Sequence, residues 1–338
     1  QWLNIERRGL LVILESFGFK YGVPNNAEFL LGNSIPLFLF QNKMAMNNIH
    51  FPESELILNA DGSIFHLHLL PEQVADKVIL VGDPGRVELV ASHFEHREFE
   101  VESREFRTVT GTYKGKRITV VSTGIGCDNI DIVVNELDAL ANIDFNTRTE
   151  RPEFRQLHLV RVGTCGGLQR HTPEGTFIAS QKSLGFDGLL NFYDGRNEVC
   201  DLEFEHAFLE AMQWTGTQCI AHPYCIDNDA ELLDRIAGTD MVRGVTIACG
   251  GFYGPQGRRL RVPLADPQAN DKIMAFRHGD LCITNFEMES SALAGLARLM
   301  GHKAMTCCMV VANRVAGKAN PNYKNSIDTL ITTVLDRI

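Results

Sequence analysis

The chain has 338 residues, 44% hydrophobic and 22% charged, an ordinary balance for a globular protein of one or two domains. Its 32 lysines and arginines against 42 acids leave a formal net charge of −10, which argues against a general binder of nucleic acid or membrane surfaces. An anionic ligand would have to be met by a few local arginines. Nine cysteines, with no Cys-x-x-Cys and several inside apolar runs, read as reduced thiols of a cytoplasmic protein. The apolar runs 10–14 and 35–40 are too short to span a bilayer, and no stretch has the layout of a signal peptide.

Residues 1–45 mix short apolar pieces with Gly, Pro and Asn, show no period and begin with Gln. Met44 and Met46 stand just before the first stretch that reads as structured. The expectation is an atypical N-terminal extension over 1–45, foreign to the native chain, ahead of a single domain at 46–338. An accessory segment that packs on the domain is the alternative.

Lys77–Val81 reads as a buried strand running into Gly82-Asp-Pro-Gly-Arg86, with a helix over Val87–Phe94. Strand, glycine turn, arginine and helix start make a plausible anion cradle. An Asp-Pro-Gly turn with a surface arginine is the plainer alternative. Arg107–Tyr113 and Arg117–Ser122 form a hairpin, and Thr123-Gly-Ile-Gly126 leads to a helix from Asn129 to Leu140. A polar loop over 141–156 precedes the strand Leu157–Val162, which delivers Arg161-Val-Gly-Thr-Cys-Gly-Gly167. This is a second station of arginine, hydroxyl and glycines.

Strands follow at Thr176–Ser180, Thr217–Cys225, Gly244–Cys249 and Met305–Val311, with helices at Leu202–Gln213, Asp229–Ala237 and Asn325–Ile338. After Cys249 comes Gly250-Gly-Phe-Tyr-Gly-Pro-Gln-Gly-Arg258. Its aromatic pair can stack on a flat polar ring while an amide and a guanidinium read the edge. Leu281–Thr284 is a short strand that hands over to Asn285-Phe-Glu-Met-Glu-Ser290, so Glu287 and Glu289 sit where a strand meets a helix, a place where open α/β sheets bind ligands. Sugar hydroxyls would satisfy two such carboxylates; a solvated turn would do so equally well. The alternation of strands and helices indicates a three-layer α/β domain with a parallel or mixed sheet.

Seven motifs in this order resemble the nucleoside phosphorylase-I superfamily, most closely its uridine phosphorylase branch, over roughly residues 64–335. They are Phe-His-Leu at 65–67, Gly-Asp-Pro-x-Arg-Val at 82–87, Arg-Glu-Phe at 104–106, Ser-Thr-Gly-Ile-Gly at 122–126, Arg-x-Gly-Thr at 161–164, Phe-Tyr-x-x-Gln-x-Arg at 252–258 and Glu-Met-Glu-Ser at 287–290. The purine branch lacks the Gln-x-Arg pair and carries Ser-Asp where this chain has Asn313-Arg314. The resemblance implies a three-layer αβα fold with a central mixed, partly barrel-like sheet. It also implies reversible phosphorolysis of uridine in nucleoside salvage, with phosphate as co-substrate and no required cofactor.

Carried over by position, the resemblance makes Gly82, Arg86, Arg161 and Thr164 phosphate ligands, with Arg104 supplied by a neighbouring subunit of a dimer, usually assembled as a hexamer. Met288 and Glu289 would hold the ribose with Glu287 on the same wall, and His66 would reach in from the neighbour. Gln256, Arg258, Phe252 and Gly166 would take the base. A structural potassium ion is implied at Glu105, Ile125 and Asn129, where Asn129 replaces the usual serine. Three departures stand out: a longer loop at 143–156, Cys165 beside the base in place of threonine or serine, and Gly250-Gly251 before the aromatic pair. The alternatives are a purine or broader-specificity phosphorylase, a nucleosidase and a non-catalytic nucleoside binder.

Overall fold

The structure is a computed structural model that describes residues 49–214, 221–319 and 324–338. The expectation for residues 1–45 lies outside the described residues. The chain begins with β1 (Lys77–Val81), α1 (Pro84–Ala91), β2 (His96–Ser103), β3 (Phe106–Tyr113), β4 (Lys116–Ser122) and α2 (Cys127–Asn142). A two-stranded ribbon, β5 (Ile143–Asp144) and β6 (Thr149–Glu150), precedes β7 (His158–Gly167) and β8 (Phe177–Gly185). Then come α3 (Leu202–Met212), β9 (Tyr224–Asp227), α4 (Ala230–Ile236), β10 (Val242–Ala248), α5 (Ala269–Ala275), β11 (Arg277–His278) and β12 (Leu281–Glu287). Last are α6 (Ser290–Leu299), β13 (Lys303–Asn313), β14 (Lys318–Ala319) and α7 (Lys324–Arg337).

Four successive apolar positions of β1 are buried because parallel neighbours, β4 and β7, flank it and helices cover both faces. The main sheet runs β11-β12-β10-β8-β13-β7-β1-β4-β3-β2. A further antiparallel pairing, Asn285 to Gly167 and Phe286 to Gly166, joins β12 back to β7. Five strands (β12, β10, β8, β13 and β7) therefore close into a ring, and β1, β4, β3 and β2 extend from it as an open wing. The mixed, partly barrel-like sheet expected from the sequence is present. One apolar core joins α2 and α6 to the sheet, a second joins α1, α4 and α7 to it, and a third packs α3 and α5 against the ring. No described helix is long and apolar enough to cross a membrane.

Several boundaries differ from those read in the sequence, each for a physical reason. The helix expected from Val87 starts at Pro84, because Asp83 accepts a hydrogen bond from Gly85 N (2.8 Å) as its N-cap and Pro84 needs no N–H in the first turn. β7 continues through its glycines to Gly167, paired with β13 along its whole length. β12 likewise runs on to Glu287. The strand expected at Thr217–Cys225 is found at Tyr224–Asp227, with 215–220 outside the described residues. β2 escaped notice because it pairs only with β3 and has no fully buried position, which leaves it without an apolar period. None of the eight described cysteines is bonded to another.

Candidate active site

At the end of the ring lies a cavity of about 730 Å³, lined by Gly82, Asp83 and Arg86, by Gly124 and Ile125, by Arg161 and Thr164–Gly166, by Phe252, Gln256 and Arg258, and by Phe286–Glu289. The groups come from β7 and β12 themselves and from the segments that follow β1, β4, β10 and β12. Arg86 stands in the first turn of α1, almost fully buried, and its Nη1 donates to the carbonyl of Val162 on β7 (3.3 Å). Arg161 comes from β7 and lies folded over Gly163. A Cβ at that glycine would stand 2.3 Å from Arg161 Nη1, so only glycine leaves room for the guanidinium.

Arg161 is the electrostatic centre. Its Nη1 is 3.1 Å from Glu287 Oε2, its Nη2 donates to Glu289 Oε2, and all three side chains are nearly inaccessible. Burial alone would lower the Arg161 pKa, but Glu289 and Glu287 raise it above the ordinary arginine value. Burial raises the Glu287 carboxyl against the opposing pull of Arg161. Both oxygens of Glu287 are already engaged: they accept from the N–H groups of Glu289 and Ser290 (2.9–3.0 Å) and from Ser290 Oγ (2.7 Å). Glu287 therefore ties down the N-terminus of α6, where a carboxylate is favoured by the helix dipole. Glu289 Oε1 accepts from Gly126 N (2.8 Å), and its Oε2 accepts from Arg161. Behind this wall, Cys127 Sγ donates to Met288 O (3.2 Å), and Ser291 Oγ donates to Asp187 (2.8 Å). Met288 is thus held in place from behind.

Another set gathers on the loop after β10. Arg258 Nη1 donates to Gln256 Oε1 (2.5 Å) and to the carbonyl of Phe252 (2.6 Å), and the guanidinium lies over the Phe252 ring, 3.6 Å from its centroid. Arg314 Nη2 donates to the Gln256 carbonyl (2.9 Å), bracing the loop from β13. Burial and the neighbouring Arg314 charge push the Arg258 pKa down to about 10, still charged at neutral pH. A Cβ on Gly166 would stand 4.0 Å from Arg258 Nη2, which shows how near the guanidinium comes to the end of β7. Cys165 also faces the cavity, and burial raises its thiol well above the ordinary value, so it presents a neutral S–H.

Of the residues singled out in the sequence, His66 and Arg104 do not line this cavity. Both stand against Phe65, the Arg104 guanidinium 5.5 Å and the His66 ring 4.8 Å from its ring centroid. Arg104 occupies the β2–β3 turn with φ +55°, a left-handed conformation that favours glycine. Arg104→Gly is therefore expected to leave the thermal midpoint no lower, while weakening any phosphate binding that depends on the guanidinium. Calorimetry beside a phosphate titration tests it; an unaltered Michaelis constant for phosphate would count against a role for Arg104. The trio Glu105, Ile125 and Asn129 is brought together around Gly124. A Cβ there would stand 2.4 Å from Asn129 Nδ2 and 3.3 Å from Glu105 Cγ, and Ile125 follows directly. A carboxylate, a carbonyl and a carboxamide are hard oxygen donors of the kind such a cation takes.

Sequence reasoning missed three contributors. Gly126 was visible in its motif, but its N–H bond to Glu289 spans 163 positions. Gly163 gave no sign that a side chain folds over it. Glu136 sat unnoticed in the middle of α2.

Residues 76–334 match the family model described as the phosphorylase superfamily. A uridine phosphorylase of Thermococcus kodakarensis is 31% identical over 79% of this chain and 84% of its own length. A guanosine phosphorylase of Halorubrum lacusprofundi is 26% identical over 80% of this chain and 92% of its own. Among solved structures, a Trypanosoma brucei nucleoside phosphorylase that shows uridine phosphorylase activity superposes with a TM-score of 0.75 at 27% identity, covering 83% of this chain and 98% of that one. A closed strand ring, a site at its end built on Arg86, Arg161 and the Glu287–Glu289 segment, and a family match over most of the chain lead to one conclusion: this protein belongs to the phosphorylase superfamily.

Proposed function

We propose that the protein is a pentosyltransferase that catalyses the reversible phosphorolysis of uridine to uracil and ribose 1-phosphate. One observation carries this reading: the same cavity is lined by two buried-site arginines, by Glu289 and by the Gln256–Arg258 pair. The arginines suit a phosphate, the carboxylate suits vicinal hydroxyls, and the amide–guanidinium pair suits a pyrimidine edge in which N3–H stands between two carbonyls. Arg314 stands where a purine-type enzyme would carry an acid to protonate the leaving base, which supports the pyrimidine.

In this mechanism no protein nucleophile is needed. Phosphate, held by Gly82, Arg86, Arg161 and Thr164, approaches C1′ as the glycosidic bond lengthens toward an oxocarbenium-like ribose. Its own negative charge stabilises that developing cation. Glu289 fixes the sugar with Met288 against it, while Glu287 acts indirectly by holding Arg161 and the start of α6. Arg258 and Gln256 stabilise the charge that builds on the departing uracil, with Phe252 covering the ring. His66 and Arg104 do not line the cavity of their own chain, and in this reading they complete the sugar and phosphate ends of a site in a second copy. The protein then works as a dimer or a higher assembly of dimers. Glu105, Ile125 and Asn129 would hold a potassium ion beside Gly124, where it supplies positive charge.

The test is uracil release from uridine, followed by absorbance with and without phosphate at about 10 mM, above the usual Michaelis range of ~1 μM–1 mM. Release only with phosphate is expected. Release without it would make the protein a nucleosidase, no release with uridine bound would make it a binding protein, and faster turnover of inosine than of uridine would move the specificity to purines.

A further inference from the structure

The turn that carries His66 is gripped by a carboxylate on α2. Glu136, in the third turn of that helix, accepts hydrogen bonds from the backbone N–H of His66 (3.0 and 3.1 Å) and of Leu67 (2.8 Å). Its Oε1 also lies 2.6 Å from His66 Nδ1. A carboxylate offers only lone pairs, so Nδ1 at that distance carries the hydrogen, and Nε2 is the ring atom left to meet a ligand. The turn has other fastenings. Asp61 accepts from Ser63 N (3.0 Å) and Ser63 Oγ (2.6 Å) and lies 2.9 Å from His68 Nε2, while Asn59 Nδ2 donates to the carbonyl of Ile64 (2.9 Å). The bond to the ring is therefore additional to what holds the chain in place.

We infer that Glu136 is a positioning residue. By fixing the Nδ1–H tautomer of His66, it presents an accepting Nε2 to the 5′-hydroxyl of a nucleoside bound in a second copy of the chain. The inference rests on the uridine reading above and deepens it: with the 2′- and 3′-hydroxyls assigned to Glu289, the 5′-hydroxyl is the sugar donor still without a partner. The same helix serves both sites. At its N-cap the N–H of Gly126 holds Glu289 of its own cavity, and ten residues later Glu136 holds the histidine meant for the neighbour. Two ligand-bearing ends on one rigid helix keep the sugar contacts of paired sites in a fixed relation.

The experiment compares kcat/KM for uridine and for 5′-deoxyuridine, which lacks the hydroxyl in question, in the full-length wild type, Glu136→Gln and His66→Ala. Glutamine keeps the shape of the side chain. The Leu67 N–H claims its amide oxygen, which turns the NH2 toward Nδ1 and moves the ring hydrogen to Nε2. The uridine to 5′-deoxyuridine ratio is expected to fall about three- to tenfold in Glu136→Gln, the worth of one hydrogen bond, and to approach that of His66→Ala. The Michaelis constant for phosphate should not move. A ratio of two substrates does not depend on how much of a variant is folded, so partial misfolding cannot imitate the result. Equal slowing of both substrates, or an unchanged ratio while His66→Ala collapses it, would overturn the role of Glu136 alone. A wild type that shows no phosphate-dependent release of uracil would overturn the uridine reading and this inference together.

Discussion

Arg161→Met is expected to injure stability and catalysis at once. The guanidinium sits between two buried carboxylates, and removing it leaves Glu287 and Glu289 facing each other without a counter-charge. Breaking a buried pair in this way typically destabilises by about 3–5 kcal/mol, a large share of the usual stability of a domain. The sign of the pH dependence follows. Burial already raises the Glu287 carboxyl, and Arg161 is what opposes that rise, so the variant's folded-state value climbs further above the unfolded one. The penalty is then greatest at neutral pH and above, and it shrinks as the pH falls toward the ordinary carboxyl range, where the Glu287 carboxyl is protonated in both states. Urea midpoints of variant and wild type at pH 5 and pH 8, beside a phosphate titration, check both halves. A variant with wild-type stability at pH 8, or with a Michaelis constant for phosphate within about threefold of normal, would show that Arg161 is not the hub described here.

Arg258→Ala should separate the two effects. The residue is half-buried on a loop, and among the described residues its guanidinium bonds only to that loop and to the Phe252 ring, so the fold should survive with little change in thermal midpoint. Turnover should fall ~10²–10³-fold, about 3–4 kcal/mol, because the donor acts on charge that appears only as uracil leaves. Retention of more than half the activity would refute its role. Glu289→Ala should be as severe for turnover. Unlike Arg258→Ala, it would also leave Gly126 N–H and Arg161 Nη2 without their acceptor, so some loss of stability belongs to the same prediction.

The loop over 143–156 acquires a physical meaning only in three dimensions. Arg148, with φ +53°, donates through Nε to the carbonyl of Phe51 (2.8 Å) and through Nη2 to the carbonyls of Pro52 and Leu56. The loop thus ties down the segment that leads to the His66 turn.

By itself the sequence determined the alternation of strands and helices, the order of the seven motifs and the residue types that line the candidate site. Those signals are local: an apolar run, a glycine turn, or an acid pair at a strand–helix junction is written in neighbouring residues. Only the tertiary structure decided that β12 turns back to pair with β7 and closes the ring, that Arg161 folds over Gly163 to meet both acids, and that Glu287 secures a helix. It also decided that Glu136 grips His66 from 70 positions away. Hydrogen bonds and ion pairs between residues so far apart leave no period in the chain, because their geometry exists only once the strands that carry them have been placed side by side.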